Sequence, residues 1–182
     1  MAKKARQFVQ AAVMAAVLVI LAQVIIPVGP VPFTMAIFGA ALAGGLLSPA
    51  AAAYCVGVYL LLGAVGVPVF SGFRGGLSVL LGPAGGFLAG YVFVAVGVSL
   101  AMRVKTRYLP VLLALPGLFI CHLLGVLWFG AQTGTPVLQA VLSVSLPFLL
   151  PDMAKIAFAV LLEGRLRARM SKTFVPEEAD GN

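Results

Sequence analysis

Charge is what this sequence has least of. Asp, Glu, Lys and Arg together make up 9% of the chain, against roughly 25% in an ordinary soluble domain. So little charge leaves nothing to clothe a water-facing surface, and no separate soluble domain is expected. Catalytic equipment is equally thin. Only Asp152 lies within an apolar run, so an intramembrane aspartyl protease would lack its second carboxylate. The single histidine, His122, has no evident serine motif to serve, which counts against a serine version. No G-x-x-x-x-G-K-[ST] loop occurs, so the chain is not an ATP-driven pump by itself. The two cysteines, Cys55 and Cys121, sit inside apolar runs without metal-ligand spacing. They are expected to be small buried residues, and no metal or cofactor is expected in the chain.

What is present is hydrophobic: 62% of 182 residues. A spanning helix needs about 20 largely apolar residues. Gly, Pro and charged punctuation divides the chain into six such runs, at approximately 8–26, 33–47, 50–65, 84–102, 109–129 and 148–162. The expected fold is an all-α integral membrane protein, a compact six-helix bundle over residues 1–172 with a polar cytoplasmic tail at 173–182. The stretch 136–150 is apolar and longer than a tight loop. It reads either as a helix across the bundle mouth or as an extension of the last span, with Pro147 and Pro151 favouring a break.

The net charge of +7 does not point to nucleic acid, because the basic residues form three short clusters at the ends of runs. These are Lys3, Lys4 and Arg6; Arg103, Lys105 and Arg107; and Arg165, Arg167, Arg169 and Lys172. Four spans separate the first two clusters and two separate the last two, so all three fall on one side. The positive-inside rule makes that side cytoplasmic, with both termini inside. Three Gly- and Pro-rich segments, 27–32, 66–83 and 130–136, then share the outer face.

A charge deep in a bilayer costs about 2.5 to 3.5 kcal/mol on insertion scales, so Asp152 and Lys155 require compensation. Three residues apart on a helix, they project from one face, where they either pair with each other and anchor the helix at the interface or offer an acceptor and a donor to one ligand in an apolar pocket. Arg74 is the single charge of its Gly-rich outer segment, and its guanidinium suits a ligand carboxylate. His122 is assigned to helix packing and left outside the site. In the first helix Ala11, Ala12, Ala15 and Ala16 form two overlapping small-xxx-small pairs, suited equally to packing within the bundle and to docking a membrane partner.

Three outer segments, taken in order, resemble one family. They are Ile26-Pro27-Val28-Gly29-Pro30-Val31-Pro32-Phe33-Thr34, then Gly66-Val67-Pro68-Val69-Phe70-Ser71-Gly72-Phe73-Arg74-Gly75-Gly76-Leu77, then Leu80-Leu81-Gly82-Pro83-Ala84-Gly85-Gly86-Phe87. Pro151-Asp152-Met153-Ala154-Lys155 completes the set. The chain is similar to the BioY family, the biotin-specific substrate-binding components of energy-coupling-factor (ECF) transporters. Ala84 departs from the Thr common in that family's Gly-Pro-Thr-Gly-Gly run.

The resemblance implies biotin capture from outside, at the cytoplasmic membrane of a bacterium or archaeon. A transmembrane coupling subunit would dock on Ala11, Ala12, Ala15 and Ala16, and paired ATPases would use ATP. For the ligand, Asp152 would accept a ureido N–H, and Lys155 would meet the ureido carbonyl or the carboxylate. Phe33, Phe70 and Tyr91 would wall the ring and Arg74 would hold the carboxylate. The quoted motifs bring Thr34, Ser71, Gly75, Gly76, Gly85 and Gly86 into the same site. The alternatives are a binder of another vitamin on this scaffold and, from a different class, an intramembrane enzyme.

Overall fold

Ala and Gly fill the second, third and fourth apolar runs, and their small side chains let helices approach closely. The computed structural model describes residues 2–26, 31–104, 106 and 108–174; for 2–6 and 166–174 it describes the backbone alone. The expected tail beyond Phe174 lies outside these residues, as do Lys105 and Arg107.

Each expected run contains one helix. They are α1 (Ala2–Ala22), α2 (Ala36–Leu46), α3 (Pro49–Ala64), α5 (Gly85–Ala101), α6 (Leu109–Thr133) and α8 (Leu146–Phe174), with short helices α4 (Leu77–Leu80) and α7 (Val137–Ala140) between. Two stretches, Leu109–Thr133 and Val137–Arg165, are long and apolar enough to cross a membrane. The other four apolar helices are shorter.

α2 sits at the centre, in contact with α1, α3, α5 and α8. Its 11 residues rise only about 16 Å. Nearly all of them are buried, because Gly39 lies against Leu18 of α1, Gly44 against the Ala95 carbonyl of α5, and Gly45 against the Glu163 carboxylate of α8. The α5–α6 seam is built likewise. A Cβ at Gly90 would stand 2.6 Å from Cys121 Sγ, and one at Gly117 would strike the Phe93 carbonyl.

Neither end of the first connection is helical, contrary to expectation. Ile25–Ile26 (β1) and Phe33–Thr34 (β2) pair antiparallel, Ile25 opposite Thr34 and Ile26 opposite Phe33. The strands form because both flanks are tied. Gln23, just past α1, donates through Nε2 to the carbonyls of Val69 (3.0 Å) and Phe70 (3.3 Å), while its Oε1 accepts the Phe73 N–H at 2.9 Å. Thr34 Oγ1 accepts the Ala36 N–H at 3.2 Å, a local turn bond that leads into α2. We call this the hairpin end of the bundle; the α2–α3 turn marks the far end, where Ser99 Oγ donates to the Leu47 carbonyl at 2.7 Å.

The expected break near Pro147 and Pro151 does not occur. Both prolines are carried within α8, which continues α7 through a π-helical turn, Val141–Ser145. Leu146 N–H bonds the Val141 carbonyl, five residues back. The hydrogen-bond register has already shifted where Pro147 enters, so a missing N–H there does not end the helix. The stretch 136–150 is therefore the extension of the last helix.

The surface is apolar. Phe8, Val13 and Ile20 on α1, Leu112, Phe119, Leu123 and Leu127 on α6, and Leu142, Leu150 and Phe158 along the last helix are all exposed. Apolar surface on this scale marks a face meant for lipid or protein.

Candidate functional site

The i, i+3 spacing of Asp152 and Lys155 puts both on the face of α8 turned to the core, where they are 3% and 8% exposed. Lys155 Nζ donates to Asp152 Oδ1 at 2.7 Å and to the Thr34 carbonyl at 2.6 Å, and lies 3.5 Å from the centroid of the Phe33 ring. The pair is held by β2, which supplies both the carbonyl and the ring. A buried ion pair persists only when such further bonds satisfy it.

The second carboxylate oxygen faces α6. His122 Nε2 stands 3.4 Å from Asp152 Oδ2, and Nδ1 is 2.9 Å from Ser145 Oγ of the π turn. The edge of the Phe87 ring pattern completes the setting, with the two rings perpendicular and 5.8 Å apart.

These groups border a cavity of about 30 Å³ at the hairpin end. Phe33 and Thr34 of β2, Phe87 and Tyr91 of α5, His122 of α6, Val144 of the π turn, and Phe148 and Asp152 of α8 line it. Phe33 and Phe148 stack across it with centroids 5.8 Å apart. The volume suits one or two waters; a small organic ligand needs about 300 Å³ or more. Admitting one requires the lining to move apart. The site offers a carboxylate acceptor, an imidazole, an ammonium and aromatic walls, the mixture that orients a largely apolar ligand with a few polar edges.

The structure thus brings Phe33, Thr34, Tyr91, Asp152 and, through its ion pair, Lys155 together. It places the other predicted residues elsewhere. Phe70 is buried edge-on against Tyr59, 5.4 Å away, with its ring over Gly63. Arg74 is exposed and donates through Nε to the Ser71 carbonyl at 3.0 Å, inside a turn closed by mutual Phe70–Arg74 backbone bonds. Gly75 packs on the Val67 carbonyl, and Gly76, at φ +98°, donates its N–H to the Gly63 carbonyl. Gly85 and Gly86 meet Leu80, Leu124 and Trp128 at the α5–α6 seam. None of these six residues, nor Ser71, lines the cavity. The alanine pairs divide: Ala11 and Ala15 are buried, Ala12 and Ala16 exposed.

Sequence reasoning passed over His122 and Ser145 as site residues. The signal for His122 was its polarity within an apolar run; Ser145 gave none, since only the π turn aims it inward. Phe87 and Phe148 were likewise indistinguishable from core.

Compared with known sequences, residues 1–172 match the BioY family. The chain belongs to the BioY family. A relative named "Biotin transporter BioY" from Thermotoga maritima is 36% identical over 164 residues, 89% of this chain and 96% of its own. "Probable biotin transporter BioY" of Pyrococcus horikoshii is also 36% identical, over 90% of this chain and 98% of its own. Among solved structures, the S-component for biotin from an ECF-type ABC transporter superposes with a TM-score of 0.83 at 29% identity, covering 91% of this chain and 93% of that one. The chain is a transporter-family protein rather than an enzyme.

Proposed function

We propose that this chain captures biotin at the hairpin end of the bundle, as the substrate-binding component of an ECF-type ABC transporter, in the cytoplasmic membrane of a bacterium or archaeon. The observation that carries the reading is the buried Asp152–Lys155 pair beside an aromatic-walled cavity, in a member of the BioY family. Asp152 accepts a ureido N–H of the ligand, and Lys155 holds that carboxylate in place through its bond to Oδ1. Phe33 and Tyr91 pack on the ring, while the aliphatic chain leaves past Phe148.

Six spans with both termini in the cytoplasm suit this reading. Lys3, Lys4 and Arg6 stand at the start of α1, Arg103 just after α5 and Arg165 late in α8, so spans alternating in direction would bring these basic residues to one side. α2 is too short to span alone, yet it is enclosed by other helices, which is where short or broken elements are tolerated at membrane depth. The exposed Ala12 and Ala16 leave a flat strip on α1 for a coupling subunit. Beside it, Phe8 and Ala11 of α1 and Ala51 and Tyr54 of α3 line a groove of about 240 Å³. ATP is used by partner ATPases, and no cofactor is assigned to this chain.

The test is calorimetric titration of the purified protein in detergent with biotin, using lipoate, thiamine and riboflavin as competitors. Tight binding displaced by none of the three is expected. Absence of biotin binding would sink the assignment.

A further inference from the structure

Lys155 is the obvious donor for a ligand carbonyl, yet its ammonium is already engaged three ways. Asp152 Oδ1, the Thr34 carbonyl and the Phe33 ring surround it at 2.7 Å, 2.6 Å and 3.5 Å. Releasing any one of them uncovers a buried charge or unpins β2. His122 is in the opposite position. It is 4% exposed, borders the cavity, and its Nε2 has no hydrogen-bond partner. A buried polar nitrogen left in this condition requires an explanation.

The tautomer follows from the neighbours. Nε2 faces the Asp152 carboxylate at 3.4 Å, too long and misaligned for a good bond but close enough that a lone pair there would be repelled. The proton therefore belongs on Nε2. Nδ1 is then an acceptor, which matches the Ser145 hydroxyl 2.9 Å away as its donor. Ser145 reaches it because the π turn rotates that residue inward; π turns inside α-helices frequently occur at functional sites.

His122 and Asp152 both line the cavity, with Nε2 and Oδ2 3.4 Å apart, a donor next to an acceptor. That is the complement of the cis edge of a cyclic urea or amide, whose C=O and N–H point the same way. Resting on the capture reading above, we propose that His122, oriented by Ser145, is a specificity-determining ligand contact: Nε2–H donates to the ureido carbonyl oxygen while Asp152 accepts the adjacent N–H. Recognition of the urea then belongs to α6 and α8 together, and Lys155 acts through Asp152.

The chain has a single histidine, so its imidazole signals need no assignment. The full-length protein, purified on a histidine-free tag and labelled at histidine, is titrated with biotin and followed by heteronuclear NMR. The expected result is a proton on Nε2 without ligand and a downfield movement of the Nε2 nitrogen and its proton at saturation. In parallel, binding of biotin and of iminobiotin, whose ring carbonyl is replaced by a hydrogen-bearing nitrogen, is measured on the wild type and on the paired variant His122→Phe/Ser145→Ala. The pair is changed together so that no serine hydroxyl is orphaned. Biotin affinity should fall about 10- to 100-fold, the worth of one buried hydrogen bond, with that for iminobiotin little changed. An imidazole signal unmoved by bound biotin, a proton on Nδ1, or equal losses for both ligands would overturn the inference while leaving biotin capture intact. Wild-type protein that binds no biotin would remove the capture reading itself.

Discussion

Lys155, near the start of α8, donates to the main-chain carbonyl of Thr34, 121 residues earlier, at 2.6 Å. One side chain thereby joins the ion pair at the cavity to the strand that covers it. Removing Lys155 alone (Lys155→Met) strands the Asp152 carboxylate and frees β2, a loss expected at about 3 to 5 kcal/mol for one partner of a buried pair. The double variant Asp152→Asn/Lys155→Met should recover part of it. Thermal unfolding in detergent reads both; a double variant as unstable as the sum of the singles would contradict the coupling.

Phe33 and Phe148, which both line the cavity, stack with centroids 5.8 Å apart. If parting this stack limits entry, Phe148→Ala should accelerate biotin association severalfold. It should also lower thermal stability, because truncating a buried Phe costs about 3 to 5 kcal/mol. Stopped-flow fluorescence of Trp128 follows the association rate. An unchanged rate would place the barrier elsewhere.

Gln23 clamps the 66–76 loop with both ends of its amide, contacting Val69, Phe70 and Phe73. Gln23→Ala removes these bonds and leaves the loop's carbonyls short of a donor, for about 1 to 3 kcal/mol. Faster limited proteolysis within 66–76 is the expected readout, and wild-type cleavage rates would show the clamp to be dispensable.

The two alanine pairs of α1 should separate by phenotype. Ala12→Trp or Ala16→Trp, on the exposed side, is expected to abolish co-purification with a coupling subunit while biotin binding persists. Ala11→Trp or Ala15→Trp, both 3% exposed, drives an indole into the bundle and should reduce folded yield instead. Loss of co-purification from neither exposed variant would remove α1 from the docking surface.

The charged pair was legible because of its price in hydrocarbon: Asp152 and Lys155 stand out in an apolar run whatever surrounds them. Phe33 and Thr34 were reachable through the motifs, and Tyr91 as an aromatic wall in the fourth apolar run. Arg74, Phe70, Gly75 and Gly76 were drawn toward the site by neighbouring sequence; the structure folds their loop onto Gln23 and Tyr59, while Gly85 and Gly86 sit in the α5–α6 seam. Whether a Gly-rich loop faces a pocket or a helix depends on contacts with Gln23, Tyr59 and Gly63, and nothing local to residues 66–76 states it.

The sequence by itself determined the helical, lipid-facing character, the places of the helices, and the isolated charges that need partners, since each follows from hydropathy read along the chain. Tertiary structure alone decided that His122, Ser145 and Asp152 meet, and that Pro147 and Pro151 leave the last helix unbroken. The Ser145 contact and the passage of Pro147 follow from a single π turn, which shifts the side chains of Val141–Ser145 about the helix axis. Such a rotation is stabilised by contacts across the bundle between residues far apart in sequence, and no period within the segment records it.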